Sequence, residues 1–197
     1  MTTTNEKQSK AAPGPLALVQ ALINTQYGHG RRAHAEFANP EQLRIWLVAH
    51  GLLADGTAVT EGDFRRVLLL REALRSLLRA NTAPEEPAVQ DDVFNQLARN
   101  APLTVRFHRD GLPTLEPDIA GVDGVLARLV GIVFTAMTDG TWIRLKACRN
   151  ERCQKAFYDT SKNHSGAWCS MAGCGSRFKA STYRHRRAAH VAPTTDD

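Results

Sequence analysis

Four cysteines in the last quarter of the chain constrain its fold more than any other feature of the sequence. They follow the pattern C-x4-C-x15-C-x4-C, and two close pairs separated by about 15–20 residues are typical of a structural zinc site. Each pair lets a tight turn direct two thiolates at one ion, and the intervening segment forms a hairpin that brings the pairs together. The pattern therefore predicts that one zinc ion is bound by all four: Cys148, Cys153, Cys169 and Cys174.

Two other uses of four cysteines agree less well with the sequence. Disulfides require an oxidising compartment, and the polar segment 1–14 lacks the apolar core of an export signal. Iron–sulfur clusters usually have tighter cysteine spacings at one end. We therefore expect a cytoplasmic protein with a structural zinc ion. Because four thiolates leave no open coordination position, we do not expect a metal-dependent enzyme.

The apolar pattern of residues 15–140 predicts a mainly α fold. Hydrophobic residues form 43% of the chain, which is enough for a buried core, and they recur at helical spacings of three and four residues. Thr60 with Asp63 is a typical start for the longest helix. The segments 103–108 and 112–115 flank a turn and predict one small β-hairpin. We expect this multihelical domain to fold on its own, because its apolar stripes suffice for a core.

The segment that contains the four cysteines, residues 141–190, predicts a second, smaller unit; we call it the cysteine segment. A cysteine turn, a short β-hairpin and a helix with a cysteine in its first turn follow one another, which is a treble-clef-like arrangement. The predicted organisation has four parts: disordered tails at 1–14 and 191–197, the helical domain at 15–140 and the zinc module at 141–190. No uninterrupted run of about 18 apolar residues is present, so we expect no membrane-spanning segment.

The charge of the chain is unevenly distributed. Residues 1–140 contain 14 Lys/Arg and 16 Asp/Glu, whereas residues 141–197 contain 11 Lys/Arg and 4 Asp/Glu. This asymmetry indicates an anionic partner for the C-terminal end. Arg177 and Arg184 are seven residues apart and share one face of the predicted helix. The candidate DNA-binding residues are Arg177, Lys179, Arg184, Arg186 and Arg187.

The distribution of charge and the cysteines are compatible with two functions. The preferred one is DNA binding, because the positive charge extends over more than one helix face. The alternative is a zinc-stabilised adaptor that docks an acidic protein partner. A third hypothesis concerns Arg71, Arg75 and Arg79, which share a helix face and could hold an anionic ligand. We favour a solvated face there, because runs of charge are usually solvated.

Several motifs resemble the CGNR-type zinc-finger family. The similarity is dense over residues 142–187, and it is weaker over residues 16–140, which resemble the helical ABATE domain that precedes this zinc finger in its family. The motifs of the dense part are Arg144-Leu-Lys-Ala-Cys148, Phe157-Tyr-Asp-Thr-Ser161, Asn163, Trp168-Cys-Ser-Met171 and Cys174-Gly-Ser-Arg177 with Lys179.

The resemblance implies a bacterial-type, stress-induced transcription regulator. Zinc ligation by the four cysteines and DNA binding by the basic residues belong to that implication. The helical domain would then sense a small-molecule effector or form a homodimer. The chain departs from the family motif at Ser176, where the motif has asparagine, and at Gly166 and Ala167, where arginines are common.

Overall fold

The computed structural model describes residues 11–28, 33–83, 91–109, 111 and 113–191, and within these ranges the fold is mainly α. Six helices lie there: α1 (Leu16–Asn24), α2 (Pro40–Ala49), α3 (Glu61–Thr82), α4 (Asp91–Arg99), α5 (Gly121–Thr138) and α6 (Ser176–Val191). The strands form three antiparallel pairs: β1 (Gln26–Tyr27) with β2 (His34–Ala35), β3 (Leu103–Phe107) with β4 (Pro113–Pro117), and β5 (Leu145–Ala147) with β6 (Ala156–Tyr158). The predicted fold class is confirmed.

The longest helix, α3, begins at the predicted pair of capping residues. The Asp63 backbone N–H donates to Thr60 Oγ1 at 3.1 Å, and the Thr60 N–H donates to Asp63 Oδ2 at 2.9 Å. This reciprocal pair satisfies two donors that a helix start leaves without partners. The apolar residues of α3 then form one fully buried face with Val67, Leu70, Leu74 and Leu78.

Helix α5 crosses the interior, and the β3–β4 hairpin packs against it. A Cβ atom placed on Gly131 would lie 3.4 Å from a methyl group of Leu103 and 3.6 Å from Leu115 Cβ, so the hairpin approaches the helix closely there. By length and composition alone α5 could cross a membrane, but 56% of it is buried within the protein. That burial is typical of a central core helix.

The main hydrophobic core extends from Ala12 to Ala156 and so includes residues on both sides of the predicted boundary near residue 140. Helices α1, α2, α3 and α5 contribute most of it, and Trp142, Leu145, Ala147 and Ala156 from the cysteine segment are buried in the same cluster. Strand β5 packs along α3, and β6 packs along α1. The expectation that residues 15–140 fold on their own does not fit this shared core, because residues beyond 140 complete it.

Hydrogen bonds join the same two segments. Asn24 of α1 both donates to the Ala156 carbonyl (3.0 Å) and accepts from its N–H (2.8 Å), as if it were a strand neighbour. Asn81 of α3 donates to the carbonyls of Trp142 (3.0 Å) and Leu145 (2.9 Å). These polar contacts favour one register of residues 142–156 on the helices, because both half-buried amides pair with backbone in this arrangement.

Arg71 and Arg75 face the protein interior, so the prediction of a solvated face is wrong for both. They are 4% and 5% exposed. Arg75 donates to the carbonyls of Ile23 (2.9 Å), Gln26 (2.6 Å) and Gln154 (3.0 Å) and to Glu72 at 3.1 Å. The guanidinium therefore binds backbone of this chain in place of an external anion.

The predicted tails are only partly covered by the described residues. Residues 1–10 and 192–197 lie outside them, so the disorder predicted there remains a prediction. Ala12, which the sequence placed in the N-terminal tail, is 5% exposed and belongs to the core. Its backbone N–H donates to Gln20 Oε1 at 2.6 Å.

Candidate metal centre

The four predicted cysteines meet at one point of the fold. Their sulfur atoms all lie within 4.8 Å of one another, with 3.7 Å between Cys153 and Cys169 and 3.8 Å between Cys169 and Cys174. A tetrahedral site with Zn–S bonds of about 2.3 Å has edges of about 3.8 Å. A disulfide requires about 2.05 Å, so the cysteines are not cross-linked. The cluster therefore has the donor atoms and the dimensions of a tetrahedral metal site.

Two tight turns present the cysteines in pairs. In the first, which we call the cysteine turn (residues 148–153), the Cys148 N–H donates to the Lys155 carbonyl (2.9 Å) and the Cys153 N–H to the Asn150 carbonyl (2.7 Å). Gln154 leaves this turn in the left-handed region, at φ 54°, which reverses the chain into β6. The turn is thus built from backbone hydrogen bonds that point both thiol groups to the same side.

The second pair lies on a π-helical turn, Met171–Gly175, that leads into α6. Ser170 Oγ accepts from the Gly173 N–H at 3.1 Å, and the Ser170 carbonyl accepts from the Gly175 N–H at 3.1 Å. A Cβ on Gly175 would lie 2.9 Å from Sδ of the exposed Met171, so a side chain here would require Met171 to move. Cys174 therefore sits immediately before the first turn of α6, and the basic helix starts at the sulfur cluster.

Hydrogen bonds among the cysteines shift the pKa values of three of them. Hydrogen bonds from Cys148 and Cys169 lower the pKa of Cys153 far below that of an ordinary thiol. Donating to that thiolate raises the pKa of Cys148, and its two cysteine neighbours raise the pKa of Cys169 as well. One thiolate is therefore stabilised by the others, and four thiolates together require a positive ion among them. The Asn150 amide also donates to Cys174 Sγ at 3.6 Å.

A buried ion pair supports the segment between the two cysteine pairs. Lys146 and Asp159 are 3% and 4% exposed, and Lys146 Nζ donates to Asp159 Oδ2 at 3.0 Å. Lys146 also donates to the carbonyls of His164 and Gly166. Burial acts to raise the pKa of Asp159, but hydrogen bonds from Ser161, Lys146 and Gly166 hold that pKa below the usual aspartate range. This pair was not predicted from the sequence, because Lys146 lies in a positively charged segment where a lysine is expected to face solvent.

Gly166 has a structural reason for its departure from the family motif. Its N–H donates to Asp159 Oδ2 at 2.7 Å, and a Cβ at this position would lie 2.7 Å from the Asp159 Cγ atom. Any side chain there would displace the buried carboxylate. The other departure, Ser176, donates to the Met171 carbonyl at 2.9 Å and so ties α6 to the π-helical turn.

Two aromatic rings meet beside the second pair of cysteines. Phe157 is 5% exposed, and the Trp168 and Phe178 rings lie 4.8 Å apart at a tilt of 36°. Phe178 is 52% exposed, so part of its ring faces solvent. This ring pair joins the second cysteine pair to α6 by an apolar contact.

All five residues predicted to bind DNA are exposed on α6, but they do not form one surface. Arg177 and Arg184 line a groove beside the cysteine turn. Lys179 and Arg186 lie on the opposite side of the helix, since residues advance by about 100° each. Arg149 and Arg152 of the cysteine turn line the same groove as Arg177. Arg149 and Arg152 were not among the residues predicted to bind DNA, although their position between two metal-ligand candidates was a usable signal.

Comparison with known families gives two matches in the expected order. The model of the ABATE family, described as "Putative stress-induced transcription regulator", matches residues 16–139. The model of the CGNR zinc finger matches residues 144–187, which include the four cysteines and all five predicted DNA contacts. The comparison with curated proteins gives no match.

Proposed function

The chain belongs to the ABATE family, whose match covers residues 16–139 of 197, and from this premise we propose that it is a zinc-dependent, DNA-binding transcription regulator. The observation that carries the proposal is the position of α6: an exposed basic helix begins at a four-sulfur cluster. A helix held in this way presents its cations in a fixed geometry, which suits contacts to DNA phosphates and to base edges. We propose the cytoplasm as its location, because four reduced cysteines and DNA occur together there.

Zinc is the ion that best fits the cluster. The ligands would be Cys148, Cys153, Cys169 and Cys174, a complete thiolate set without an oxygen or nitrogen donor. When bound, the ion neutralises the thiolates and cross-links the cysteine turn to the start of α6. Because such a site is closed, its role is structural, and we assign the protein no catalytic activity.

The helical region offers a site for a small-molecule effector. A cavity of about 690 Å³ lies between the start of α1, the β3–β4 hairpin and α5, and its size falls within the range of ligand pockets, about 300–1,000 Å³. Its wall is largely apolar, and Thr114, Thr135 and Asp139 add polar groups. We assign this cavity to an apolar effector with one or two polar groups. Dimerisation through the same face is the alternative.

One experiment tests the DNA-binding proposal directly. The zinc-loaded full-length protein is titrated into fluorescent duplexes from a random pool at salt concentrations from about 50 to 200 mM. We expect binding that weakens steeply with salt, because each neutralised phosphate releases counterions. Full zinc content with no binding at the lowest salt would overturn the proposal. Capture of an acidic protein by the same sample would then favour the adaptor.

A further inference from the structure

A groove of about 780 Å³ lies between the C-terminal end of α3, the cysteine turn and α6. Arg149 and Arg152 lie on the wall formed by the cysteine turn, and Arg177 and Arg184 lie on the wall formed by α6. All four side chains are exposed. We call these four residues the groove arginines. Two separate elements thus direct cations into one concave surface.

The groove arginines have no acidic partner among the described residues. Elsewhere in that part of the chain, Arg44, Arg66 and Arg75 each form an ion pair with a carboxylate. Glu151 is the one carboxylate among the described groove residues, and it has no ion pair with a described arginine. A concave surface lined by unpaired positive charges concentrates anions from solution.

The chemistry of the groove fits a phosphodiester backbone. Guanidinium groups bind phosphate oxygens in a bidentate manner, and cations on both walls can contact successive phosphates of a strand that runs between them. The exposed face of Phe178 and the Trp168 ring lie along the groove, where they offer apolar surface to the sugars. An isolated phosphate would need only one cluster of cations, whereas here they occur on two walls.

We infer that this groove, and not the outer face of α6, is the surface that holds the nucleic-acid backbone, with Arg149 and Arg152 as phosphate contacts beside Arg177 and Arg184. The inference rests on the proposed function and assigns it a surface. It divides the predicted contacts into two groups, because Lys179 and Arg186 face away from the groove. It also links binding to the metal, since Arg149 and Arg152 lie between two of the cysteines.

The test compares two double variants of the full-length, zinc-loaded chain. Arg149→Ala with Arg152→Ala removes two charges from the groove, and Lys179→Ala with Arg186→Ala removes two charges from the opposite side of α6. Duplex binding is measured against salt for both. We expect the groove variant to reduce the slope of log K against log salt by about two units, since each phosphate contact contributes about one. The control should change the slope by less than about half a unit.

Zinc content and the helical circular dichroism signal establish that both variants fold. The double variant Arg149→Lys with Arg152→Lys should keep the wild-type slope, because a phosphate contact needs the charge more than the guanidinium shape. Inorganic phosphate in the millimolar range should compete no better than its ionic strength predicts, and saturable competition would assign the groove to a free phosphate ligand instead.

The possible failures are distinguishable. If the wild-type protein binds no nucleic acid, the proposed function fails and this inference fails with it. If the wild type binds but the control variant loses as much slope as the groove variant or more, the groove assignment alone is overturned. An unchanged slope in folded groove variants would overturn the groove assignment in the same way.

Discussion

At Gly166, the space normally taken by a Cβ atom is filled by the carboxylate of Asp159, at 2.7 Å. Replacing Gly166 with Ala should lower the free energy of unfolding by about 1–3 kcal/mol, as overpacking of a close contact usually does. The control is Gly62→Ala, where the nearest atom, Thr60 Oγ1, is 3.6 Å from the new Cβ. Urea titration of both variants measures the difference between their free energies of unfolding. Equal values would show that Asp159 moves aside without loss of stability.

The cysteines allow a second prediction at this scale. Cys169→Ser should remove the zinc ion, because an uncharged hydroxyl replaces a thiolate ligand of the proposed site. The melting temperature of the whole Cys169→Ser chain should also fall, since the strands next to the cluster belong to the main core. Ser165→Ala, at an exposed position of the same segment, serves as the control. Metal analysis that finds one zinc per chain in the Cys169 variant would contradict the ligand assignment.

Among single residues, those with local roles were the most predictable. The cysteine spacing identified the four residues that meet, and the Thr60 and Asp63 pair identified the start of α3. Lys146 was not predictable as a buried residue, because its charge suggests solvent and its partner Asp159 lies across the β5–β6 sheet. Composition cannot distinguish a lysine that meets a distant carboxylate from one that meets water.

At the scale of elements, Arg75 links three parts of the fold. From α3 it reaches carbonyls at the end of α1, in β1 and after the cysteine turn. Arg75→Ala should destabilise the chain by about 3–5 kcal/mol, because it leaves Glu72 and three carbonyls without this donor. Arg65→Ala on the same helix removes an exposed pair with Glu61 and should cost less than about 0.5 kcal/mol.

Thermal and urea unfolding of the two variants measure this contrast. A difference below about 1 kcal/mol would show that water replaces the guanidinium without loss.

The same residue explains why element contacts were harder to predict than elements. Helical periodicity placed Arg75 correctly on α3, but its acceptors are backbone carbonyls, of which one lies 79 residues away. The positions of backbone carbonyls cannot be predicted from the pattern of side chains along the sequence.

At the scale of the whole molecule, the chain has one main core with contributions from both family segments. A chain that ends at Gly140 lacks Trp142, Leu145, Ala147 and Ala156, so we expect it to bind hydrophobic dyes and to melt without a cooperative transition. A chain that ends at Gly175 keeps these residues and the four cysteines, and it should melt cooperatively. Calorimetry of both chains is the measurement, and a sharp native-like transition in the shorter chain would contradict the prediction.

The predicted boundary near residue 140 illustrates what sequence patterns omit. Composition and charge change there, and the family matches also divide at residues 139 and 144. Yet Leu145 is fully buried against the helices, because short apolar strands next to a metal site need more cover than the site provides. A change in composition marks a change in the type of structure, and it does not by itself mark the limit of a core.

The shared core has a consequence for biosynthesis. A ribosome completes α1 and α3 well before it adds residues 145–158, so these nascent helices at first lack Ala156 and Gln154, the partners of Asn24 and Arg75. We expect nascent chains arrested after residue 140 to be protease-sensitive, and those extended past Cys174 in zinc to be resistant. Metal supply during translation would then decide how long each new copy depends on chaperones.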